Sequence, residues 1–229
     1  MVAELLGAIV ARRRSEGRGS GDALDLLLGA AGADTSALTD SEIVDSVFSL
    51  MVAGHETTAS TIAWALQLLA HNPAVQRRLR DEIDSRGSEE YLNATVLETL
   101  RHAPVFVFAI PRAVAEPIEI GGYSHRPPTL LMPCVYLMHH DPDRYPDPQA
   151  FRPERFIDED PPAPAWAPWG GGRTRCLGRH LATLEITSVL REVLSTRVVL
   201  PAGPRVEAAR WRTAILAPQR GSRVLLRAR

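Results

Sequence analysis

The stretch that decides the fold is Trp169-Gly170-Gly171-Gly172-Arg173-Thr174-Arg175-Cys176-Leu177-Gly178. Three consecutive glycines let a backbone turn tightly and approach another group closely. The cysteine that follows opens a helical pattern and has Arg173 and Arg175 beside it. Positive charge and a helix N-terminus both favour thiolate over thiol. The plainer alternative is a glycine turn before an ordinary helix, with a small buried thiol.

Working outward, the glycine loop ends a proline-rich stretch, residues 139–175, that has almost no periodicity and contains Pro153-Glu154-Arg155-Phe156. Structureless stretches of that length inside a compact domain are usually functional. After the loop a helix is predicted from Cys176 to about Leu194, and the tail alternates like one or two strands. Upstream, residues 105–138 show period-two, β-branched runs (VFVFAI, PIEI, TLLM, CVYL) broken by Gly121-Gly122 and Pro127-Pro128, which predicts a small sheet. His139 and His140 then fall on opposite faces of a strand, suited to loop hydrogen bonding rather than to a metal, and Cys134 reads as a small buried hydrophobe.

Three successive helices lead directly into the sheet. Thr39-Asp40-Ser41-Glu42 is a capping box. It opens a pattern without proline up to Asn72-Pro73, roughly 30 residues or ~45 Å of helix. Its apolar residues wrap most of the way round, so it is buried in a large core or spans a membrane. Ala53-Gly54-His55-Glu56-Thr57-Thr58 sits at its middle, costly in hydrocarbon, so burial is preferred and no transmembrane segment is expected. A mid-helix glycine costs ~1 kcal/mol relative to alanine, which a close approach to the backbone would explain. Pro73 starts a second helix to about Ile83, and a third runs from about Ser88 to His102 with Glu98 and Arg101 on one face. Residues 1–14 form a helix, residues 15–22 a flexible break, and Ala23–Gly29 a short helix.

Composition sets outer bounds. With 229 residues, one large domain or two small ones are expected. The 45% apolar and 23% charged content is that of an ordinary soluble protein. A formal net charge of −1 argues against nucleic-acid partners held by phosphate neutralisation. Two cysteines make no disulfide framework, and no apolar run of signal-peptide type opens the chain, so a reducing, cytoplasmic location is expected.

Taken singly, the Gly54 notch, the Glu98/Arg101 pair and Pro153–Phe156 carry little. In order they do more. A mid-helix AGxET[T/S], then ExxR, then PERF, then a glycine-rich loop to one cysteine resembles the cytochrome P-450 family of haem-thiolate monooxygenases. The resemblance covers roughly residues 23–229, leaving 1–22 as a helix and flexible break. It implies a mainly α fold with a small β-sheet, and it implies that the chain is the C-terminal, haem-binding half of that fold, without its N-terminal half.

The resemblance carries site residues over by position. Cys176 matches the axial ligand of the haem iron, a thiolate whose electron push favours O–O cleavage. Ala53, Gly54 and Thr57 match the groove over the oxygen-binding face of haem, and Glu56 with Thr57 the acid–alcohol pair that delivers protons. Glu98 and Arg101 match a structural pair that, with Arg155, locks the long loop behind the haem. Arg112 matches a position that pairs with a haem propionate. Pro168, Trp169, Gly170, Thr174, Arg175, Gly178 and Ala182 complete the implied haem-binding set. Trp169 stands where the family has Phe, Thr174 where it has Arg or His, and Pro128 where a turn glycine is usual. The implied cofactors are haem b and O₂, with electrons from NAD(P)H through a redox partner of ferredoxin and ferredoxin reductase type. The implied substrate is a small apolar organic molecule. Arg173, Arg175 and Arg179 form either a docking face for an acidic partner or a solvated helix start. A haem protein that no longer oxygenates and an inactive remnant are the alternatives.

Overall fold

The computed structural model describes residues 1–17, 19, 21–30, 38–157 and 166–229. They divide into two compact units, Met1–Glu56 and Thr57–Arg229.

The first unit holds α1 (Val2–Glu16), α2 (Ala23–Ala30) and the opening of α3 (Asp40–His71). Leu6 and Val10 of α1 are buried. Arg13 reaches Asp25 at 2.7 Å, and the N–H groups of Gly19 and Gly21 donate to the same carboxylate. Arg14 forks onto Asp40 at 3.0 and 2.7 Å. The capping box forms as its spacing predicts. Glu42 accepts from the Thr39 N–H and hydroxyl at 2.8 Å, and the Glu42 N–H donates to Thr39 Oγ1 at 3.3 Å. Phe48, Leu50, Met51 and Val52 of α3 are exposed.

The second unit is built on the rest of α3, α4 (Pro73–Ser85), α5 (Glu90–His102) and α7 (Arg179–Thr196). Trp64, Leu68 and Leu69 meet Leu92, Val96 and Leu100 of α5 and Ile186, Leu190 and Leu194 of α7 in one core. Gln76 is buried but fully employed: its amide donates to the carbonyls of Leu69 and Val199 and accepts the Val199 N–H. It thereby ties α3 to β5 (Arg197–Pro201) without leaving a polar atom unpaired. Trp64 Nε1 donates to Leu216 O at 3.1 Å, seating the tail against α3.

The β-structure differs from the expected single sheet. Among the described residues it consists of four separate antiparallel pairs. They are β1 (Arg112–Ala113) with β4 (Leu130–Leu131), β2 (Ile118–Ile120) with β3 (Tyr123–His125), β5 with β8 (Val224–Ala228), and β6 (Ala209–Arg212) with β7 (Ile215–Pro218). The tail therefore supplies four strands rather than one or two. VFVFAI is not a strand; it makes one bridge, Phe108 to Cys134, and Val105 O accepts the Leu216 N–H. Pro104, Pro111 and Pro133 surround that bridge and cannot donate to a ladder. The CVYL run is also not a strand. Cys134 caps α6 (Val135–His139), so His139 and His140 end a helix, not a strand. β-branched and aromatic residues fitted either element, and docking on α5 decides for the helix. α7 begins at Arg179, three residues later than expected. No helix among the described residues is long and apolar enough to cross a membrane.

Candidate functional site

The glycine loop is shaped by its own backbone. Gly170 and Gly172 have φ of +67° and +57°, the left-handed region where side chains are strained. Gly170 N–H donates to Ala167 O at 3.1 Å, and Cys176 N–H closes the loop on Trp169 O at 2.8 Å. Cys176 is a free, half-buried cysteine that stands two residues before Gly178, the N-cap of α7. It is thus presented by the loop rather than by the first helical turn. Pro168 and Trp169 are half-buried, with Trp169 against the main core, and Thr174, Arg175 and Gly178 are exposed. Ala182 N–H donates to Gly178 O at 2.8 Å, in the first turn of α7.

Arg112 reaches this loop from β1. Its Nη2 donates to Thr174 Oγ1 at 3.0 Å, and Thr174 donates in turn to Gly171 O. Two positions singled out separately in the sequence are therefore neighbours. Both lie at the surface, where their polar groups stay open to a further partner.

Behind the loop is a buried ion pair. Glu98 and Arg101 of α5 are wholly buried and paired in a fork, at 2.7 Å from Nε to Oε2 and 2.8 Å from Nη2 to Oε1. Arg101 also donates to the carbonyls of His139, Pro148 and Ala150. Glu98 also accepts the Arg152 N–H at 2.8 Å, and Arg155 Nε lies 3.5 Å from it. Arg155 donates to Asp147 O at 2.7 Å, and burial pulls its pKa below the ordinary arginine value. The pair and Arg155 thus engage the proline-rich stretch at five backbone positions. His139, read in the sequence as suited to loop hydrogen bonding, does accept the Ala167 N–H, whereas Arg152, engaged through its backbone, went unread. The doubled histidine was a signal for the first; a backbone donor leaves none.

Ala53, Gly54, Glu56 and Thr57 are consecutive or nearly so along α3. Ala53 and Gly54 are exposed, Glu56 and Thr57 half-buried. A Cβ on Gly54 would meet nothing within 4 Å among the described residues.

The donor set suits an iron porphyrin. A soft sulfur donor stands on the loop, and the Arg112 guanidinium, a fork of the kind that bonds carboxylates, is tied to Thr174 two residues before it. Gly171 and Gly178 leave open space where a Cβ would otherwise stand.

The Cytochrome P450 family model matches residues 2–220. The chain is 38% identical over 226 residues to a Mycobacterium tuberculosis protein provisionally named cytochrome P450 137, covering 98% of this chain and 47% of that one. It is 35% identical over 231 residues to one provisionally named cytochrome P450 135B1 from the same species, again covering 98% and 49%. Among solved structures it superposes with TM-score 0.87 on retinoic acid-bound cyanobacterial CYP120A1, at 26% identity, over 99% of this chain and 55% of that one. The haem domain of cytochrome P450DA matches with the same TM-score, 25% identity and 53% coverage of that chain. The chain thus spans about half the length of the relatives it matches. It belongs to the cytochrome P450 family.

Proposed function

We propose that this chain is the haem-binding part of a haem-thiolate monooxygenase, which inserts one oxygen atom of O₂ into a small apolar organic substrate. The observation that carries the reading is the loop itself: Cys176 presented at a glycine turn, with Arg112 braced on Thr174 of the same loop. Haem b, when bound, supplies the oxygen chemistry, with the thiolate donating electron density that favours O–O cleavage.

The chain's own residues do the rest. Cys176 holds the iron through sulfur. Arg112, with Arg173 or Arg175, bonds the propionates; this compensates for Thr174, which carries no charge. Trp169 shields the sulfur side, Pro168, Gly170, Gly178 and Ala182 leave room for the ring, and Glu98, Arg101 and Arg155 hold the loop behind it. Ala53 and Gly54 leave the helix backbone open to O₂, while Glu56 and Thr57 relay protons to it. Electrons come from NAD(P)H through a partner of ferredoxin and ferredoxin reductase type. An apolar substrate accords with the retinoic acid bound by CYP120A1. The two free cysteines accord with a cytoplasmic setting.

The test is spectroscopic. Haem-loaded ferrous protein with carbon monoxide should show the strongly red-shifted Soret band of thiolate ligation, and Cys176→Ser should lose it. A band that survives the substitution would show that another group holds the iron.

A further inference from the structure

We propose that His139 is a positioning residue for the Cys176 loop: its ring Nε2 accepts the Ala167 N–H and so couples that loop to the buried Glu98–Arg101 pair.

The coupling is a continuous path. Arg101 Nη1 donates to the carbonyl of His139 at 2.9 Å, fixing the end of α6. The His139 side chain, wholly buried, then accepts from Ala167 N at 3.1 Å. Ala167 O accepts the Gly170 N–H, and the neighbouring Trp169 O accepts the Cys176 N–H at 2.8 Å. From the ion pair to the cysteine backbone, every step is a hydrogen bond or at most two residues of chain.

The chemistry fixes the ring's state. A backbone N–H only donates, so Nε2 must be the acceptor and the ring proton must sit on Nδ1. A protonated ring would turn a second N–H toward the Ala167 N–H and break the link. Burial, together with the charges of Arg101 and His140, holds the His139 pKa down to about 4, so the ring stays neutral near pH 7. Nδ1 is buried and makes no full hydrogen bond among the described residues, although the Arg101 and Leu100 backbone acts on the ring and favours a proton there. A residue present only to fill space would be apolar and would avoid that cost. What an apolar side chain lacks is an acceptor at the reach of Nε2.

The inference deepens the proposed function, since it rests on Cys176 being the ligand for its consequence, but it is tested without haem. Amide hydrogen exchange is measured over residues 166–178 in the 229-residue chain and in His139→Leu and His139→Gln. Glutamine keeps an acceptor at about the same reach; leucine does not. Loss of one hydrogen bond worth ~1 kcal/mol should speed exchange at Ala167, Gly170 and Cys176 about fivefold in the leucine variant. The glutamine variant should stay close to the parent. Unchanged exchange with leucine, or equal exposure with glutamine, would overturn the proposal. If the leucine variant fails to fold, the ring itself decides: ¹⁵N shifts of the parent chain, assigned by the signal lost in His139→Gln, should report Nδ1–H and bare Nε2. An Nε2–H tautomer would overturn it. A Cys176→Ser variant that kept the thiolate spectrum would overturn the ligand assignment instead and leave these readouts unchanged.

Discussion

Arg112 Nη2 donates to Thr174 Oγ1 at 3.0 Å, linking β1 to the glycine loop across 62 residues of sequence. The bond is neutral at the threonine and exposed, so the guanidinium keeps most of its capacity for a carboxylate. Arg112→Leu should therefore leave the fold intact and weaken haem retention by ~1–3 kcal/mol, the usual range for a charge-assisted hydrogen bond. Haem transfer to apomyoglobin measures it; a transfer rate equal to the parent's would remove Arg112 from the propionate site.

Arg101 uses all five of its N–H donors: two on Glu98 and three on the carbonyls of His139, Pro148 and Ala150. Arg101→Leu leaves the buried Glu98 carboxylate with only the Arg152 N–H and the longer Arg155 contact, and three carbonyls without that donor, and should cost ~3–5 kcal/mol in urea unfolding. Arg101→Lys restores the charge but has three donors on one atom, which cannot span the same positions. It should recover less than half of the loss. Complete recovery by lysine would show that charge alone, and not the fork onto the loop, sustains this region.

The capping box, the helix ends at Asn72-Pro73 and His102, and the Glu98/Arg101 pair were readable because each depends on residues within one or two turns. The order of the motifs made the family readable as well. What was hidden depends on distant partners. CVYL carries strand-forming residues and becomes α6, because its contacts with α5 lie some 35 residues away in sequence. Within the four-stranded tail, Glu207 accepts the N–H groups of Arg220, Ser222 and Arg223, 13 to 16 residues on, a tie that no local pattern announces. The loop's tie to His139 depends on a backbone donor, which every residue but proline has.

Acid should destabilise the fold earlier than its carboxylates alone would require. His139 titrates near 4 when folded, and His102 and His140 are also lowered, each mainly by burial. In the unfolded chain a histidine titrates near 6.5. Between those values the unfolded state binds more protons, so stability rises with pH and is lost as pH falls. For His139 the loss amounts to about 2 kcal/mol by pH 5. The lowered carboxylates, Glu42, Asp84 and Glu207, lose their contributions only at lower pH. Urea midpoints from pH 7.5 to 5 isolate the histidines, and His139→Gln should flatten that slope. An unchanged slope would mean that His139 is protonated as easily folded as unfolded.

α7 is apolar on two faces, and among the described residues only one of them is buried. Ile186, Leu190 and Leu194 are fully buried in the main core. Leu181 and Leu184, one turn apart, are 61% and 62% exposed, and Leu177 just before the helix is 86% exposed. Contiguous exposed leucines of this kind bind apolar dyes and promote association. Each buries little on folding, so replacing it removes little stabilisation. Leu181→Glu with Leu184→Arg should therefore lower dye binding and self-association of the 229-residue chain while shifting its unfolding free energy by less than ~0.5 kcal/mol per site. Leu190→Ala is the control from the opposite face and should cost ~2–5 kcal/mol through lost burial and the cavity left behind. Dye fluorescence, sedimentation and urea unfolding on the three proteins separate the two faces. A double variant as unstable as Leu190→Ala would show that the leucine face is already buried in solution, against another part of the chain or a second copy of it.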